Sequence, residues 1–188
     1  MVQTKNPFHA RLKNDDFLNL WQSFNYTYIL VYPPNEQEKI EAILGERFDL
    51  TFSFNQAVET ASEEIEKDPK NVYPYFNLST SFYRLGDYQK SVDFFEKVEN
   101  KLPKRMLWYQ IEPILAYQKL GNFGRVFELI EKVFASGNPA FSELYLIRGE
   151  IYLTQGEKEK AKDEFEKAVF YNKNLKPAQE ALESLKEK

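Results

Sequence analysis

Three glycines stand at a fixed interval in this chain: Gly86, Gly121 and Gly156, each 35 residues after the one before. The same residue types return around them. Leu85-Gly86-Asp87-Tyr88 is matched by Leu120-Gly121-Asn122-Phe123 and, more loosely, by Gln155-Gly156-Glu157-Lys158. Four residues before each glycine is an aromatic (Phe82, Tyr117, Tyr152), and five after is a small or modest side chain (Ser91, Val126, Ala161). A large apolar residue stands nine after (Phe95, Ile130, Phe165), and Val98, Val133 or Ala168 twelve after. Spacings of three and four mark one face of an α-helix, so each unit reads as two amphipathic helices. The glycine between them is where a left-handed backbone is needed to turn the chain. A pattern repeated three times in phase restricts the fold to stacked helical hairpins, each burying its apolar face on its neighbour.

Small residues where paired helices cross, large ones filling the gaps and proline between units together resemble the tetratricopeptide repeat, over residues 72–105, 107–140 and 142–175. The first of these carries Tyr75, Leu78, Phe82, Gly86, Tyr88, Phe95 and Pro103 in register. Residues 55–67 lead into Glu66-Lys67-Asp68-Pro69, an exit typical of such a repeat, which points to a degenerate helical pair over about 46–67. Pro177 suits the start of a last helix, in which Ala178, Ala181, Leu182 and Leu185 follow i, i+3, i+4, i+7 with Gln, Glu and Lys opposite. Such a helix caps a repeat array. The expected fold is mainly α: a tetratricopeptide-type solenoid over 46–188 with three clear repeats, one degenerate repeat and a capping helix.

Residues 1–45 lie outside the repeat and are expected to form a small α/β segment. Asp15-Asp16-Phe17-Leu18-Asn19-Leu20-Trp21 reads as a short helix with an acidic start. Tyr26 to Tyr32 is β-branched and aromatic, a strand by propensity. Pro33-Pro34 stops it, and Asn35-Glu36 to Leu44 reads as a second helix ending at Gly45. A lone strand is unstable. It needs a second protomer, giving a homodimer through strand 26–32, or a hairpin mate such as residues 1–8, or a domain outside this chain.

Asn6-Pro7, Asp16-Phe17-Leu18 with Trp21, Tyr28-Ile29-Leu30-Val31-Tyr32-Pro33-Pro34 and Ile43-Leu44-Gly45 resemble the end of a papain-like, leader-peptidase-type domain, which bacteria join to tetratricopeptide repeats. Leu102-Pro103-Lys104-Arg105-Met106-Leu107-Trp108-Tyr109-Gln110 is similar to the repeats of those two-domain proteins. The resemblance places Asn6 at the third catalytic position but offers no cysteine nucleophile, and His9 is too near Asn6 to be that family's histidine. It implies a peptidase remnant, or the C-terminal appendage of a peptidase whose Cys and His lie elsewhere, and not an active peptidase.

Composition narrows the chemistry. The chain has 188 residues, no cysteine and one histidine, His9. Disulfides, thiolate metal sites and a Cys nucleophile are excluded, and a Ser-His triad is disfavoured. A lone histidine reads as structural or exposed. Net charge −4 and a pI near 5.3 give no basic footprint for nucleic acid or an anionic membrane. The longest apolar run, Tyr28 to Tyr32, falls far short of the roughly 20 residues that span a bilayer. Met1 to Arg11 has no apolar signal core; a full-length chain would be cytoplasmic and an excised one could sit elsewhere. Aromatics make up 16% of the residues, a content that argues against disorder.

The remaining motifs read as surface chemistry. Glu63-Glu64-Ile65-Glu66 is a solvated helix face, because unpaired carboxylates are rarely buried. Lys160/Glu164 and Lys162/Glu166 are expected as exposed i, i+4 pairs. Gly121-Asn122-Phe123-Gly124 lacks the ending of a phosphate loop. No enzyme activity, cofactor or metal is expected.

The function expected is therefore protein–protein interaction. In the resembled fold, the first helix of each pair lines a concave groove. By i, i+3, i+4, i+7 spacing the first unit contributes Tyr73, Phe76, Asn77, Thr80 and Tyr83, the second Trp108, Ile111, Glu112, Leu115 and Gln118, and the third Glu143, Leu146, Ile147 and Glu150. Groove families that clamp a C-terminal carboxylate use Lys, Asn and Arg, and only Asn77 fits. This face is aromatic and aliphatic with a few carboxylates, suiting an extended peptide or protein segment with apolar anchors and a Lys or Arg for Glu112 and Glu150. The alternative is that the N-terminal 45 residues, or a second protomer, cover it. Pro113 falls inside the expected first helix of the second unit and would kink it near Trp108 to Glu112.

Overall fold

The evenly spaced glycines are where the chain reverses. The computed structural model describes residues 12–186, the Lys186 side chain excepted. Gly86, Gly121 and Gly156 all have positive φ (84°, 73° and 78°). Each closes a helix in the same way. The glycine N–H donates three residues back, and the following N–H donates to the aromatic four residues before the glycine: Asp87 to Phe82, Asn122 to Tyr117 and Glu157 to Tyr152, each at 2.9 Å. This pair of hydrogen bonds satisfies two of the last carbonyls of the first helix. At the first two turns the next residue also opens the second helix, since the Asp87 carboxylate accepts from the Lys90 N–H and the Asn122 amide oxygen from the Arg125 N–H.

The chain divides into two compact units, Met1–Lys101 and Leu102–Lys188. In the first, α1 (Asn14–Gln22) is followed by an irregular segment, α2 (Gln37–Leu44), α3 (Leu50–Lys67), α4 (Val72–Arg84) and α5 (Tyr88–Glu96). Asp49 caps α3 through the Phe52 N–H, and Asn71 caps α4 through the Tyr73 N–H. α3 packs on α4 and α4 on α5. Phe76 and Phe95 meet across that second contact at 6.2 Å between ring centroids, above the buried pair Ser79 and Ser91, whose small side chains let the helices approach. The second unit holds α6 (Glu112–Lys119), α7 (Phe123–Ala135), α8 (Ser142–Thr154), α9 (Lys158–Tyr171) and α10 (Lys176–Lys186). Its core is Ile114, Tyr117, Val126, Leu129, Ile130, Leu144, Ile151 and Phe165. Gly149 lets α8 lie directly against the Phe165 ring of α9. α10 buries Ala178 against Tyr145 and Ala168, as a capping helix should.

Four expectations are corrected. Residues 27–33 form no strand; no β-ladder occurs among the described residues. Left-handed Asn25 and Tyr26 (φ 55° and 51°) turn the chain at the head of that run, and Pro33-Pro34 offers no donors at its end. The strand on which a homodimer through 26–32 rested is absent, and so is the β part of the expected α/β segment. The hairpin expected at 46–67 is a 3₁₀ turn, Gly45–Phe48, leading into the single helix α3. Pro113 kinks nothing: it sits in the first turn of α6, which can begin only there because proline lacks an N–H and clashes with the preceding turn. Trp108 is consequently in a 3₁₀ turn (Met106–Trp108) and Ile111 is the N-cap, both ahead of the helix on which they were placed. Finally, Glu164 is buried and not a surface partner of Lys160, which pairs with Glu157 instead.

Candidate interaction site

The predicted face of α4 is already engaged by the chain itself. Asn77 is wholly buried, and its Nδ2 donates to the Gln22 carbonyl at 2.8 Å. Asn71 Nδ2 donates to Gln22 Oε1 (3.1 Å) and Asn25 Nδ2 to Ser81 Oγ (2.9 Å). The Tyr26 hydroxyl donates to Glu64 Oε1 on α3 (2.5 Å). Four side-chain bonds thus tie residues 22–26 to the α3–α4 pair. Trp21 shapes the tied turn, donating from Nε1 to the Thr27 carbonyl at 2.8 Å and meeting the Tyr26 ring edge-on. Burial, and next the Glu64 bond and charge, push the Tyr26 phenol up to about 12.

The rest of the predicted α4 set serves packing. Phe76 is wholly buried against Phe95, Thr80 returns its hydroxyl to the Asn77 carbonyl, and Tyr83 tilts against Tyr88. Tyr73 is half-buried. Beside them a cavity of about 310 Å³, lined by Tyr75 and Val98 with Lys70, Lys97 and Lys101, opens at the start of α4 and contains none of the predicted residues.

In the second unit the predicted residues fall into two groups. Trp108 is tied to the end of α7: its Nε1 donates to Ser136 Oγ at 2.8 Å, and the Arg105 guanidinium lies 4.7 Å over its ring. Ile111 is half-buried and Glu112 is buried in the first turn of α6. Leu115, Gln118, Glu143 and Leu146 are half-buried and Glu150 is exposed. Gln118 Nε2 donates to Glu150 Oε2 at 2.9 Å and joins α6 to α8, while Glu143 accepts from Ser142 and Leu146 packs on Tyr145 and Ala178. Ile147 belongs to the buried core.

Sequence reading missed one ionic cluster, built around the buried Glu164. Arg148 reaches Glu164 Oε2 (3.0 Å) and Glu131 Oε1 (2.7 Å), Lys167 reaches Glu164 Oε1 (2.8 Å), and the guanidinium lies over Phe127 and Phe134. The signal was present, since Glu164 falls in the stripe Ala161, Phe165, Ala168 that packs inward. Glu64 was missed likewise: it sits within the acidic run but points to Tyr26, while Glu63 pairs in the open with Lys67. Asn6, Pro7 and His9, the proposed hairpin mate 1–8 and the segment Met1 to Arg11 lie outside the described residues. Among the described residues no acidic or histidine cluster is placed to hold a metal ion, and no helix is long and apolar enough to cross a membrane.

Two tetratricopeptide-repeat family models match the chain, over residues 75–104 and 142–175. No curated protein matches it in sequence. The solved structure described as the crystal structure of MamA aligns with a TM-score of 0.62 over 84% of this chain and 85% of that one, at 15% identity. MamA MSR-1 C2 aligns at 0.59 over 72% and 76%, with 18% identity. A MamA RS-1 double mutant aligns at 0.57 over 80% and 90%, with 19% identity. The likeness is one of fold: the chain is built of tetratricopeptide-type helical hairpins.

Proposed function

We propose that this chain is a non-catalytic interaction module that binds a peptide or protein segment on the inner faces of its hairpins. Residues 46–188 form the binding domain, and 1–45 form its appendage. The observation that carries the reading is the Asn77 amide, which grips a main-chain carbonyl on the predicted face of α4 as it would grip a bound peptide. In the second unit, Leu115 and Leu146 provide apolar contact and Glu143 and Glu150 provide charge, which favours a segment with an apolar anchor followed by Lys or Arg.

The test is panning of a random-peptide phage library against the immobilised full chain. Enrichment of sequences pairing an apolar residue with Lys or Arg is expected. Glu143→Lys with Glu150→Lys should weaken the selected second-unit peptides by about tenfold or more, since like charges now face each other. Circular dichroism should be unchanged. Failure to enrich any sequence refutes the module; binders indifferent to the charge reversal refute this face.

A further inference from the structure

Two acceptors at the junction of the N-terminal turn with α3 and α4 are buried without a hydrogen-bond partner among the described residues: Asn77 Oδ1 and Glu64 Oε2. Each belongs to a side chain whose other polar atom is used by the turn, Asn77 Nδ2 by the Gln22 carbonyl and Glu64 Oε1 by the Tyr26 hydroxyl. Buried acceptors are nearly always satisfied, so a half-used pair marks a surface built for a ligand with more donors than the one occupying it. The turn is held by its four side-chain bonds, but its backbone works against them. Asn25 and Tyr26 hold consecutive left-handed backbones, a conformation that Asn tolerates and Tyr resists, and α1 buries none of its residues. Phe17, Leu18 and Leu20 of α1 are exposed, so α1 adds little packing to the turn that follows it.

We propose that the α3–α4 face is a peptide-binding site closed by the chain's own residues 21–27, and that its intended occupant is a partner segment carrying an arginine. A guanidinium in the place of the Tyr26 hydroxyl offers two parallel N–H donors, matching both oxygens of Glu64 where the phenol serves one. Peptide backbone in the place of residues 22–23 offers Asn77 a carbonyl for Nδ2 and an N–H for Oδ1. The chain's own turn is a cis ligand that an incoming segment must displace. Apparent affinity is therefore lowered by the fraction of molecules in which the turn is bound. This inference rests on the interaction-module reading and deepens it for the first unit alone.

The experiment uses the full chain and two synthetic fluorescent peptides copying residues 20–27, one with Tyr26→Arg and one with Tyr26→Met. The opened variant is Asn25→Ala with Tyr26→Ala, which removes two of the four ties and leaves Asn77 and Glu64 intact. Fluorescence polarisation should show the arginine peptide binding the opened variant about tenfold or more tighter than it binds wild type, and about tenfold tighter than the methionine peptide. Glu64→Gln in the opened variant should abolish the preference for arginine. Tyr26→Phe, which deletes one oxygen atom, carries the same prediction at smaller amplitude should the double variant lose its circular-dichroism signal. Equal binding by wild type and opened chains overturns the cis ligand, and equal binding of the two peptides overturns the arginine assignment. Dimerisation of the opened variant in light scattering would make a second copy the occupant and also overturn it. If these fail while panning still yields peptides sensitive to Glu143 and Glu150, only this inference falls.

Discussion

Gly149→Ala probes the closest helix approach in the second unit. Glycine in a helix interior is about 1 kcal/mol less favourable than alanine, so propensity alone predicts a gain of that size. The structure predicts a loss. A Cβ on Gly149 would lie 2.4 Å from Phe165 Cε1 and 2.5 Å from Cδ1, where ordinary contact begins at 3.4 Å. The ring must retreat by about 1 Å in an interior packed as densely as an organic crystal, and Phe165 is wholly buried. Overpacking of this severity costs about 3 kcal/mol, the upper end of the usual range. The net expectation is destabilisation of about 2 kcal/mol. Gly124→Ala is the control: Gly124 lies in α7 with nothing within 4 Å of the new Cβ, so it should stabilise by about 0.4–1 kcal/mol. Urea denaturation followed by circular dichroism measures both, provided the m-value is unchanged. Phe165→Leu completes a double-mutant cycle. It should cost about 1 kcal/mol alone and less, or nothing, beside Gly149→Ala, giving a coupling of about 1 kcal/mol or more. A Gly149→Ala chain as stable as wild type, or coupling near zero, would refute the argument.

Two further outcomes follow from the charge and titration chemistry. Arg148→Met leaves the buried Glu164 with Lys167 alone and should cost about 2–3 kcal/mol in the same assay, somewhat less than a fully broken buried pair. Adding Glu164→Leu should recover most of that loss, whereas Lys162→Ala, at an exposed 4.0 Å pair, should change stability by no more than about 0.5 kcal/mol. Tyr26 has a raised pKa in the fold, so its tie to Glu64 is complete below the ordinary phenol value of 10.0 and is lost as pH rises towards about 12. In alkaline ultraviolet titration Tyr26 and Tyr145 should both ionise late, and Tyr26→Phe should remove the Tyr26 contribution. Trp21 fluorescence should change over the window that Tyr26→Phe abolishes.

The repeat was legible because its determinants are local and periodic. A glycine at the left-handed position, an aromatic four residues earlier and Asp or Asn just after it close one helix and open the next within six residues of sequence. The α10 cap was legible for the same reason, through Ala178 and its heptad partners. Pro113 was legible too but was given the wrong weight: proline at the start of a helix costs nothing, and the chain begins α6 there instead of bending a longer helix. The strand at 26–32 failed because β-propensity measures how well a residue fits a sheet, and the described residues supply no neighbouring strand for it.

The faces were the harder part. Helical spacing groups Phe76, Asn77 and Thr80 on one side of α4, yet spacing cannot say whether a face meets solvent or another part of the chain. Asn77 and Gln22 are 55 residues apart and Tyr26 and Glu64 are 38 apart. Single bonds over such separations leave no periodic trace in the sequence, and neither does the convergence of Arg148 and Glu164 from two helices. The amino-acid order by itself determined where helices turn and which side of each is apolar, because those depend on dihedral preference and hydrophobic period over a few residues. Only the packed chain decided that the α4 face is held by its own N-terminal turn, that Glu64 turns to Tyr26 and Glu164 leaves the water, and that Gly149 admits Phe165, because each depends on which distant atoms fill the space beside it.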